Sequence, residues 1–383
     1  MNTVRATSAA SLPLLALLCL AATPALAEAR SHATELVPIR VETVATGLNH
    51  PWGMAFLPDG SILLSEREGA MRLLSPEGQL SPPLAGLPKL WTAGQGGLLD
   101  VAVADDFATS STVYFTFSEP GGGGAGTALA RARLVRVGDG GRLADFRILF
   151  SMPKKSKRGQ HFGSRIVVHP DGTVLFSTGD RGQAPRAQDM TDAAGAILRV
   201  NADGSVPKDN PYASASDGTL PQIWSKGHRN PQGFAIDSAG TLWTAEHGAR
   251  GGDEINQPLA GHNYGWPVVT YGVNYNGDPI GLGTEAPGFE APLHHWDPSI
   301  APSGLAVYEG AMFPEWKGDL LVGALKFQLL SRLDRDASGR IVGEERMLEG
   351  EYGRIRDVAV AEDGAVWLLT DDSDGKVLRI SRD

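Results

Sequence analysis

The chain has 383 residues, of which 42% are hydrophobic and 20% charged, a balance typical of a soluble globular protein. Its formal net charge is −10, and its densest basic run, residues 154–158, is short enough to be a solvated loop. A nucleic-acid-binding protein would usually carry a clustered basic surface, so the composition argues against that class.

Residues 1–27 have the order of a secretory signal peptide. Arg5 is the only charged residue among them, residues 14–22 are entirely apolar, and Ala25–Ala27 form a small-x-small cleavage site. The apolar run is too short to span a bilayer. We therefore expect cleavage near Ala27 and a periplasmic or secreted protein, with residues 28–383 forming a single soluble domain that is not inserted in the membrane.

Six related segments follow in the mature chain. Each joins two β-rich stretches through a turn such as Pro-Asp-Gly, and short runs of Val, Ile, Leu and Phe are bounded by Asp, Gly and Pro. The segments are residues 53–74, 97–118, 164–182, 232–255, 303–334 and 355–380. This repetition predicts an all-β, six-bladed β-propeller with four-stranded antiparallel blades, in which the terminal segments share a blade. A pair of β-sandwiches or a solenoid is the alternative.

A long insert, residues 256–298, separates the fourth and fifth segments. It is rich in Gly, Tyr, Trp and Pro and is too long for a plain connection. Loops of this length usually have a function, so the insert is expected to contribute to a site.

Polar residues near the ends of the repeats are the candidates for function, because a propeller binds ligands where loops from different blades converge. Together with residues of the insert, they are Gln95, His161, Arg229, Asn230, Thr270, Tyr275, Lys326, Arg354 and Arg356. Three cations and a histidine from four different repeats can meet around one central opening, and such a ring would suit an anionic ligand.

Each candidate also has a simpler interpretation when taken alone. A lone histidine is more often structural than catalytic, and Arg229 could cap a turn. Asp253 and Glu254 could be a solvated pair, and Arg354 and Arg356 could bridge two blades.

Other catalytic patterns are missing from the sequence. It has no Gly-x-Ser-x-Gly nucleophile elbow, no Walker loop, no His-Glu-x-x-His motif, and no Gly-x-Gly-x-x-Gly fingerprint between a strand and a helix. The single cysteine, Cys19, lies in the signal segment. A redox reaction would therefore need a cofactor, because side chains cannot accept a hydride.

Eight short motifs are distributed along the mature chain, in the order GQGGLLDVAV, GQHFGSR, STGDRG, GHRNPQG, EHGARGGDEIN, GHNYGWP, GALK and RIRDV. They occur in the same order as in the soluble glucose and aldose sugar dehydrogenases that depend on pyrroloquinoline quinone (PQQ). The chain resembles this family over essentially all of its mature length. The resemblance implies an enzyme that uses PQQ and Ca²⁺ to oxidise an aldose at carbon 1 to the lactone.

The resemblance also implies roles for single residues. His161 corresponds to the general base, and Gln95 and Arg229 correspond to groups that flank the quinone and the substrate. The other implied PQQ contacts are Asn230, Thr270, Tyr275, Lys326, Arg354 and Arg356. The implied calcium ligands are the carbonyls of Gly248 and Ala249 and, at a second site, Glu254 with the carbonyl of Tyr264.

These implied roles agree with the chemistry of the residues. PQQ carries three carboxylates, which suit a ring containing Lys326, Arg354 and Arg356. Calcium prefers oxygen ligands, which carbonyls and carboxylates supply. His161 would take the proton of the anomeric hydroxyl as hydride passes to PQQ, and Arg229 would stabilise negative charge on the quinone oxygen.

The sequence departs from the glucose-specific members at Gln160, where they carry an aspartate before the histidine. A broader range of aldoses is therefore expected, and no motif identifies the electron acceptor. Two rival functions remain open. A non-catalytic propeller that serves as a binding module should lack the histidine or the cations, and a calcium-dependent lactonase needs carboxylates and an asparagine around one central calcium.

Overall fold

The computed structural model describes Met1, Thr3 and residues 29–383, so the predicted signal segment lies outside the described residues except for those two positions. The helices within the described part of the chain are one α-helical turn, Phe107–Ser110, and two 3₁₀ helices, Ala184–Gln188 and Pro314–Trp316. None of them has both the length and the apolar character that crossing a membrane requires.

The remaining regular structure is β-strand. The first twelve strands are β1 (Ala29–His32), β2 (Ile39–Leu48), β3 (Pro51–Phe56), β4 (Ile62–Glu66), β5 (Ala70–Leu74), β6 (Leu98–Val103), β7 (Thr112–Gly121), β8 (Gly124–Val137), β9 (Gly140–Ser151), β10 (Ile166–Val168), β11 (Thr173–Thr178) and β12 (Ala196–Asn201). The other twelve are β13 (Ile223–Lys226), β14 (Pro231–Ile236), β15 (Leu242–Glu246), β16 (Asp253–Asn256), β17 (His294–Trp296), β18 (Pro302–Val307), β19 (Leu320–Ala324), β20 (Leu329–Arg335), β21 (Ile341–Met347), β22 (Ile355–Val360), β23 (Val366–Thr370) and β24 (Gly375–Arg382).

These strands form six antiparallel sheets, which confirms the predicted six-bladed propeller. Four blades have the predicted four strands: β6–β9, β10–β13, β14–β17 and β18–β21. The blade β3–β5 has three strands, and the last blade has five in the order β1-β2-β24-β23-β22. Its extra strands come from the N-terminal side of the chain, because β2 pairs with β24 from Ile39–Arg382 to Leu48–Gly375. The terminal segments therefore share a blade, as predicted, and their pairing closes the ring.

The apolar core lies between the blades. Six clusters of buried side chains each join two neighbouring sheets, and together they cover all six interfaces of the ring. For example, Val167 and Leu175 of the third blade pack with Phe234 and Leu242 of the fourth. Burial of apolar surface against both neighbours stabilises each blade, so no blade is expected to be stable alone.

The first strand of each blade lies nearest the central axis. The six strands β3, β6, β10, β14, β18 and β22 contact one another around the ring. Equivalent positions face each other: a Cβ on Gly53 would lie 2.5 Å from Asp100 Oδ1, and one on Gly304 would lie 2.4 Å from Asp357 Oδ1. Since each of these four residues is third in its strand, the innermost strands run in the same direction. The residues that precede them therefore gather at one end of the axis.

Candidate functional site

A cavity of about 160 Å³ lies at that end of the axis. All six blades contribute to its lining. One lining residue from each blade in chain order is Trp52, Gln95, Gly163, Asn230, Ala301 and Arg356. Each lies just before an innermost strand or is the second residue of one, so the ring geometry alone brings these distant residues together.

Four of the predicted site residues line this cavity, namely Gln95, Asn230, Arg354 and Arg356. His161 lies directly beside it, because Phe162 and Gly163 are part of the lining. The backbone N–H of His161 also donates to Gln95 Oε1 at 2.7 Å. The predicted catalytic histidine therefore lies next to four of the predicted quinone contacts.

The ring of His161 is held by a buried carboxylate that the sequence analysis did not single out. Nδ1 of His161 lies 2.6 Å from Asp180 Oδ1. The other oxygen, Oδ2, accepts from Trp266 Nε1 at 2.8 Å, and Gly182 N–H donates to Oδ1 at 2.6 Å. With both oxygens engaged, Asp180 fixes the orientation of the histidine ring.

The pKa values of this pair determine where the proton lies. Burial alone would raise the pKa of Asp180, but the hydrogen bond from His161 and the charge of Arg229 lower it. Asp180 is therefore an ionised acceptor, and His161 carries its proton on Nδ1. Burial lowers the pKa of His161, and this effect outweighs the hydrogen bond to Asp180, which alone would raise that pKa. The ring is consequently neutral near pH 7 and Nε2 can accept a proton.

The backbone around His161 adopts an unusual conformation. His161 has φ of +57°, in the left-handed region that residues other than glycine adopt uncommonly. The chain crosses Gly179 so closely that a Cβ there would lie 2.3 Å from the His161 carbonyl oxygen. The guanidinium of Arg181 donates to the carbonyls of Arg158 and Gln160 and lies 3.3 Å from the ring centre of Phe162. Contacts with Gly179 and Arg181 therefore fix the backbone on both sides of the histidine.

Two arginines of the cavity lining are paired with one buried aspartate, Asp371. Arg356 is buried; its Nη2 lies 2.7 Å from Asp371 Oδ2 and its Nη1 donates to Gln232 Oε1 at 3.0 Å. Arg354 is 46% exposed and contacts the same aspartate oxygen at 3.3 Å. Nε of Arg356 has no hydrogen-bond partner among the described residues although it is buried. A buried donor of this kind is costly unless a ligand or water satisfies it.

Arg67 adds a third guanidinium to the lining, and its buried Nε likewise lacks a partner in the described structure. Two of the predicted contacts line neither this cavity nor the smaller one described below. Lys326 is exposed, with Nζ 4.9 Å from the ring centre of Phe327, and Tyr275 is 75% exposed on the long insert. Neither belongs to the cavity lining.

A second, much smaller cavity of about 10 Å³ adjoins the first, since His247 lines both. Its lining includes the predicted residues Arg229, Gly248, Glu254, Tyr264 and Thr270. The fourth predicted calcium-binding residue, Ala249, is buried next to Gly248 but is not part of this lining. The cavity has the size of a single ion or water molecule.

Two carboxylates face this small cavity. Burial and the neighbouring charge of Glu246 raise the pKa of Glu254 to about 8. Glu246 is held by His228 Nδ1 at 2.9 Å and by the backbone N–H of Arg229 at 2.8 Å. Within residues 29–383, no three His, Cys, Asp or Glu side chains are arranged to hold a metal. A cation at this position would therefore depend partly on backbone carbonyls, as calcium often does.

The long insert contributes to the site as expected. It supplies Trp266, which donates to Asp180 and lies 5.1 Å from the guanidinium carbon of Arg229, measured to the ring centre. Arg229 also donates to the carbonyl of His247 at 3.2 Å, and its buried Nε has no partner in the described part of the chain. Arg229 is thus held at the boundary between the two cavities.

His247 is a further residue that the sequence analysis missed. Burial, together with the charge of Arg229, lowers its pKa to about 3, so the ring is neutral. Nε2 lies 2.7 Å from the Pro302 carbonyl, to which it must donate, and Nδ1 is therefore an acceptor. The EHGARGG motif contains this histidine, but only the folded ring brings it to the axis.

Comparison with known proteins gives a consistent result. The family model described as Glucose / Sorbosone dehydrogenase matches residues 48–379. The aldose sugar dehydrogenase YliI of Escherichia coli (strain K12) is 41% identical over 348 residues, which are 90% of this chain and 93% of that protein.

Solved structures agree with this match. The soluble aldose sugar dehydrogenase of Escherichia coli in its apo form has a TM-score of 0.86 at 40% identity, covering 90% of this chain and 100% of that one. The PQQ-bound form of an aldose sugar dehydrogenase from Streptomyces coelicolor has a TM-score of 0.74 at 29% identity, covering 93% and 99% of the two chains.

Proposed function

The chain belongs to the glucose/sorbosone dehydrogenase family, and we propose that it is a PQQ- and calcium-dependent aldose sugar dehydrogenase. The reaction would oxidise carbon 1 of an aldose to the lactone. One observation carries the proposal: a histidine that is fixed by a buried carboxylate lies beside a cavity lined by arginines.

The lining of the larger cavity fits PQQ. The three carboxylates of PQQ need cationic partners, and Arg67, Arg354 and Arg356 all line the cavity. The unsatisfied Nε atoms of Arg67 and Arg356 are donors that an anionic ligand could use. Gln95 and Asn230 would add polar contacts. Lys326, Thr270 and Tyr275 are proposed as more peripheral contacts.

The small cavity fits a calcium ion. Glu254 and the residues Gly248 and Tyr264 face it, so a carboxylate and backbone carbonyls are available together. A divalent cation would offset the repulsion between Glu246 and Glu254 that raises the pKa of Glu254. Ala249 would contribute through its carbonyl.

PQQ, when bound, supplies the acceptor for the hydride that leaves carbon 1 of the sugar. His161 removes the proton of the anomeric hydroxyl at Nε2, because Nδ1 is committed to Asp180. Asp180 keeps the ring in the required tautomer and stabilises the imidazolium that results. Arg229, with its free Nε, provides a donor for negative charge that develops at the boundary of the two cavities.

The range of sugars follows from the residue before the base. Gln160 packs against Gly182, where a Cβ would lie 2.9 Å from its amide nitrogen. An uncharged side chain at this position favours a broad aldose range over strict glucose preference. We further propose that residues 1–27 direct export and that residues 28–383 form one catalytic domain.

Reconstitution tests this function. Purified protein is incubated with PQQ and CaCl₂, and an artificial electron-accepting dye is followed as glucose, galactose or xylose is added. We expect dye reduction that requires PQQ, and lactone or aldonic acid as the product by mass spectrometry. 1-Deoxyglucose, which lacks the hydroxyl on carbon 1, is the matched control and should give no turnover. Protein that binds PQQ but reduces no dye with any aldose would favour the binding-module function instead.

A further inference from the structure

The axis of the propeller is closed below the larger cavity by three charged side chains. Arg165 precedes β10, Asp100 lies in β6 and Asp357 in β22, and all three are buried. Nη1 of Arg165 lies 3.1 Å from Asp100 Oδ1 and 2.7 Å from Asp357 Oδ1. We call these three residues the axial plug. Each comes from a different blade, so the plug ties three blades together at the centre.

The same guanidinium also contacts three residues that line the larger cavity. Nε of Arg165 donates to the carbonyl of Gln232 at 2.7 Å, and Nη2 donates to the carbonyl of Arg356 at 2.8 Å. Its central carbon lies 4.2 Å from the ring centre of Trp52. One side chain therefore supports two polar residues and one aromatic residue of the lining.

A third cavity lies on the other side of the plug and is not part of the proposed active site. Its volume is about 260 Å³, which exceeds that of the cavity called the larger cavity above. The third cavity is lined by Asp100, Arg165 and Asp357 and by apolar residues from the ends of the innermost strands, such as Val103 and Ala359. The axial plug thus separates two cavities that lie on one axis.

Two glycines next to the axial plug make room for its carboxylates. Gly53 and Gly304 leave the room that the Asp100 and Asp357 carboxylates occupy, since a Cβ at either glycine would lie within 2.5 Å of an aspartate oxygen. Each aspartate also accepts a backbone hydrogen bond, Asp100 from Ile166 at 2.8 Å and Asp357 from Met54 at 3.0 Å. Every polar group of the plug therefore has a partner.

From these contacts we infer that Arg165 is a positioning residue, which forms the floor of the cofactor cavity by holding Trp52, Gln232 and Arg356 and closes the axis beneath them. The inference rests on the proposed function, because it assigns the floor of the cavity in which PQQ would bind. His161 also has an anchor that does not involve Arg165, because its Nδ1 lies 2.6 Å from Asp180 Oδ1 and Arg181 donates to the carbonyl of the preceding residue, Gln160.

The test compares three variants in the full-length protein loaded with calcium. Arg165→Met with Asp357→Asn removes the guanidinium together with one of its two carboxylates, so that two buried carboxylates are not left facing each other. The remaining one, Asp100, keeps its hydrogen bond from the backbone N–H of Ile166. Arg165→Lys keeps the charge but cannot reach all the partners of the fork. Arg199→Met is the control, because Arg199 is also buried, pairs with Asp171 at 2.7 Å and lies near Trp224, but contacts no residue of the cavity.

Equilibrium dialysis with PQQ gives the dissociation constant, and dye reduction at saturating PQQ gives kcat. The double variant should bind PQQ about 10- to 100-fold more weakly, and Arg165→Lys should be intermediate. The kcat of the double variant at saturating PQQ should stay within about twofold of the wild-type value. Arg199→Met should keep both its PQQ affinity and its kcat within about twofold of wild type. A merely structural role would not separate the two readouts.

Two outcomes overturn the inference. A folded double variant that binds PQQ as tightly as Arg199→Met shows that Arg165 does not form a working floor, and the proposed function survives. Loss of kcat without loss of affinity would also refute it. Wild-type protein that binds no PQQ would instead overturn the proposed function, and this inference with it.

Discussion

The two ends of the axial channel are built from the same six innermost strands but carry different chemistry. At the end where these strands begin, the lining contains arginines, glutamine, asparagine and histidine. At the other end, apart from the plug, it consists of residues such as Met54, Val101, Phe234 and Leu305. Five of the six strands share one burial pattern, with four buried residues followed by two partly exposed ones.

This difference shows how a symmetric scaffold acquires one active end. The strands themselves have similar burial, so the chemistry comes from the loops that precede them and from the first residues of the strands. Polar side chains can be placed there without disturbing the apolar interfaces between blades. Substitutions at the beginning of the strands should therefore change function, whereas those at the far end should change only stability. The following variants test that distinction.

The largest effect is expected for His161→Gln. Glutamine roughly keeps the size and hydrogen bonding of histidine but cannot act as the base, so turnover should fall by about 10²- to 10⁴-fold. PQQ affinity should stay near normal, because the arginines of the lining are untouched. Steady-state dye reduction at saturating PQQ and sugar measures this. His169→Gln is the control, since this partly exposed histidine pairs only with Asp171.

Turnover of His161→Gln above about a tenth of the wild-type value would remove His161 from the role of base. Turnover that collapses equally in His169→Gln would point to a general loss of folded protein instead.

A smaller effect is expected for Arg356→Met, which should weaken PQQ binding by about 10- to 100-fold because it removes charge-assisted hydrogen bonds. Lys326→Ala should weaken binding less, since Lys326 is exposed and outside the lining. Val101→Ala is the far-end control; it removes two buried methyl groups, so it should cost about 2 kcal/mol of stability and leave PQQ affinity unchanged. Equilibrium dialysis and thermal melts give both quantities. A larger loss of affinity in Lys326→Ala than in Arg356→Met would contradict this assignment of the cavity.

The smallest effect is expected for Glu254→Ala. Calcium that binds only the folded state stabilises it by mass action, so wild-type protein should melt at a higher temperature in calcium. The variant should show a reduced calcium-induced shift and a nearly unchanged melting temperature in a chelator. Glu290→Ala, at an exposed carboxylate on the long insert, is the control. Equal calcium-induced shifts in Glu254→Ala and wild type would remove Glu254 from the ligands.

The number of blades could be predicted from the sequence because each repeat carries its own strand and turn signals. The strand count was also predicted correctly for four blades, but not for the three-stranded blade β3–β5 or for the five-stranded blade that closes the ring. Pairing of β2 with β24 joins residues as far apart as Ile39 and Arg382, and local patterns do not encode such a partnership. Ring closure, which must protect every sheet edge, selects it.

The candidate site was predictable where motifs precede innermost strands, as for Gln95, Asn230 and Arg356. Residues whose role depends on a distant partner were missed. Asp180 matters because His161 and Trp266 both reach it, and Trp266 comes from an insert 86 residues later. Trp52 and Arg165 meet only across the axis. Lys326 is the opposite case: the GALK motif predicted it as a PQQ contact, but the fold leaves it exposed and outside the cavity lining.

The most direct measurement of the central claim is a crystal structure of the protein with PQQ and Ca²⁺. We predict PQQ density in the larger cavity, bounded by Gln95, Asn230 and Arg356, and a calcium ion in the small cavity beside Glu254. The axial plug should lie beneath the cofactor, unbroken. PQQ bound in the far-end cavity or away from the axis, or an empty larger cavity at saturating PQQ, would contradict the account.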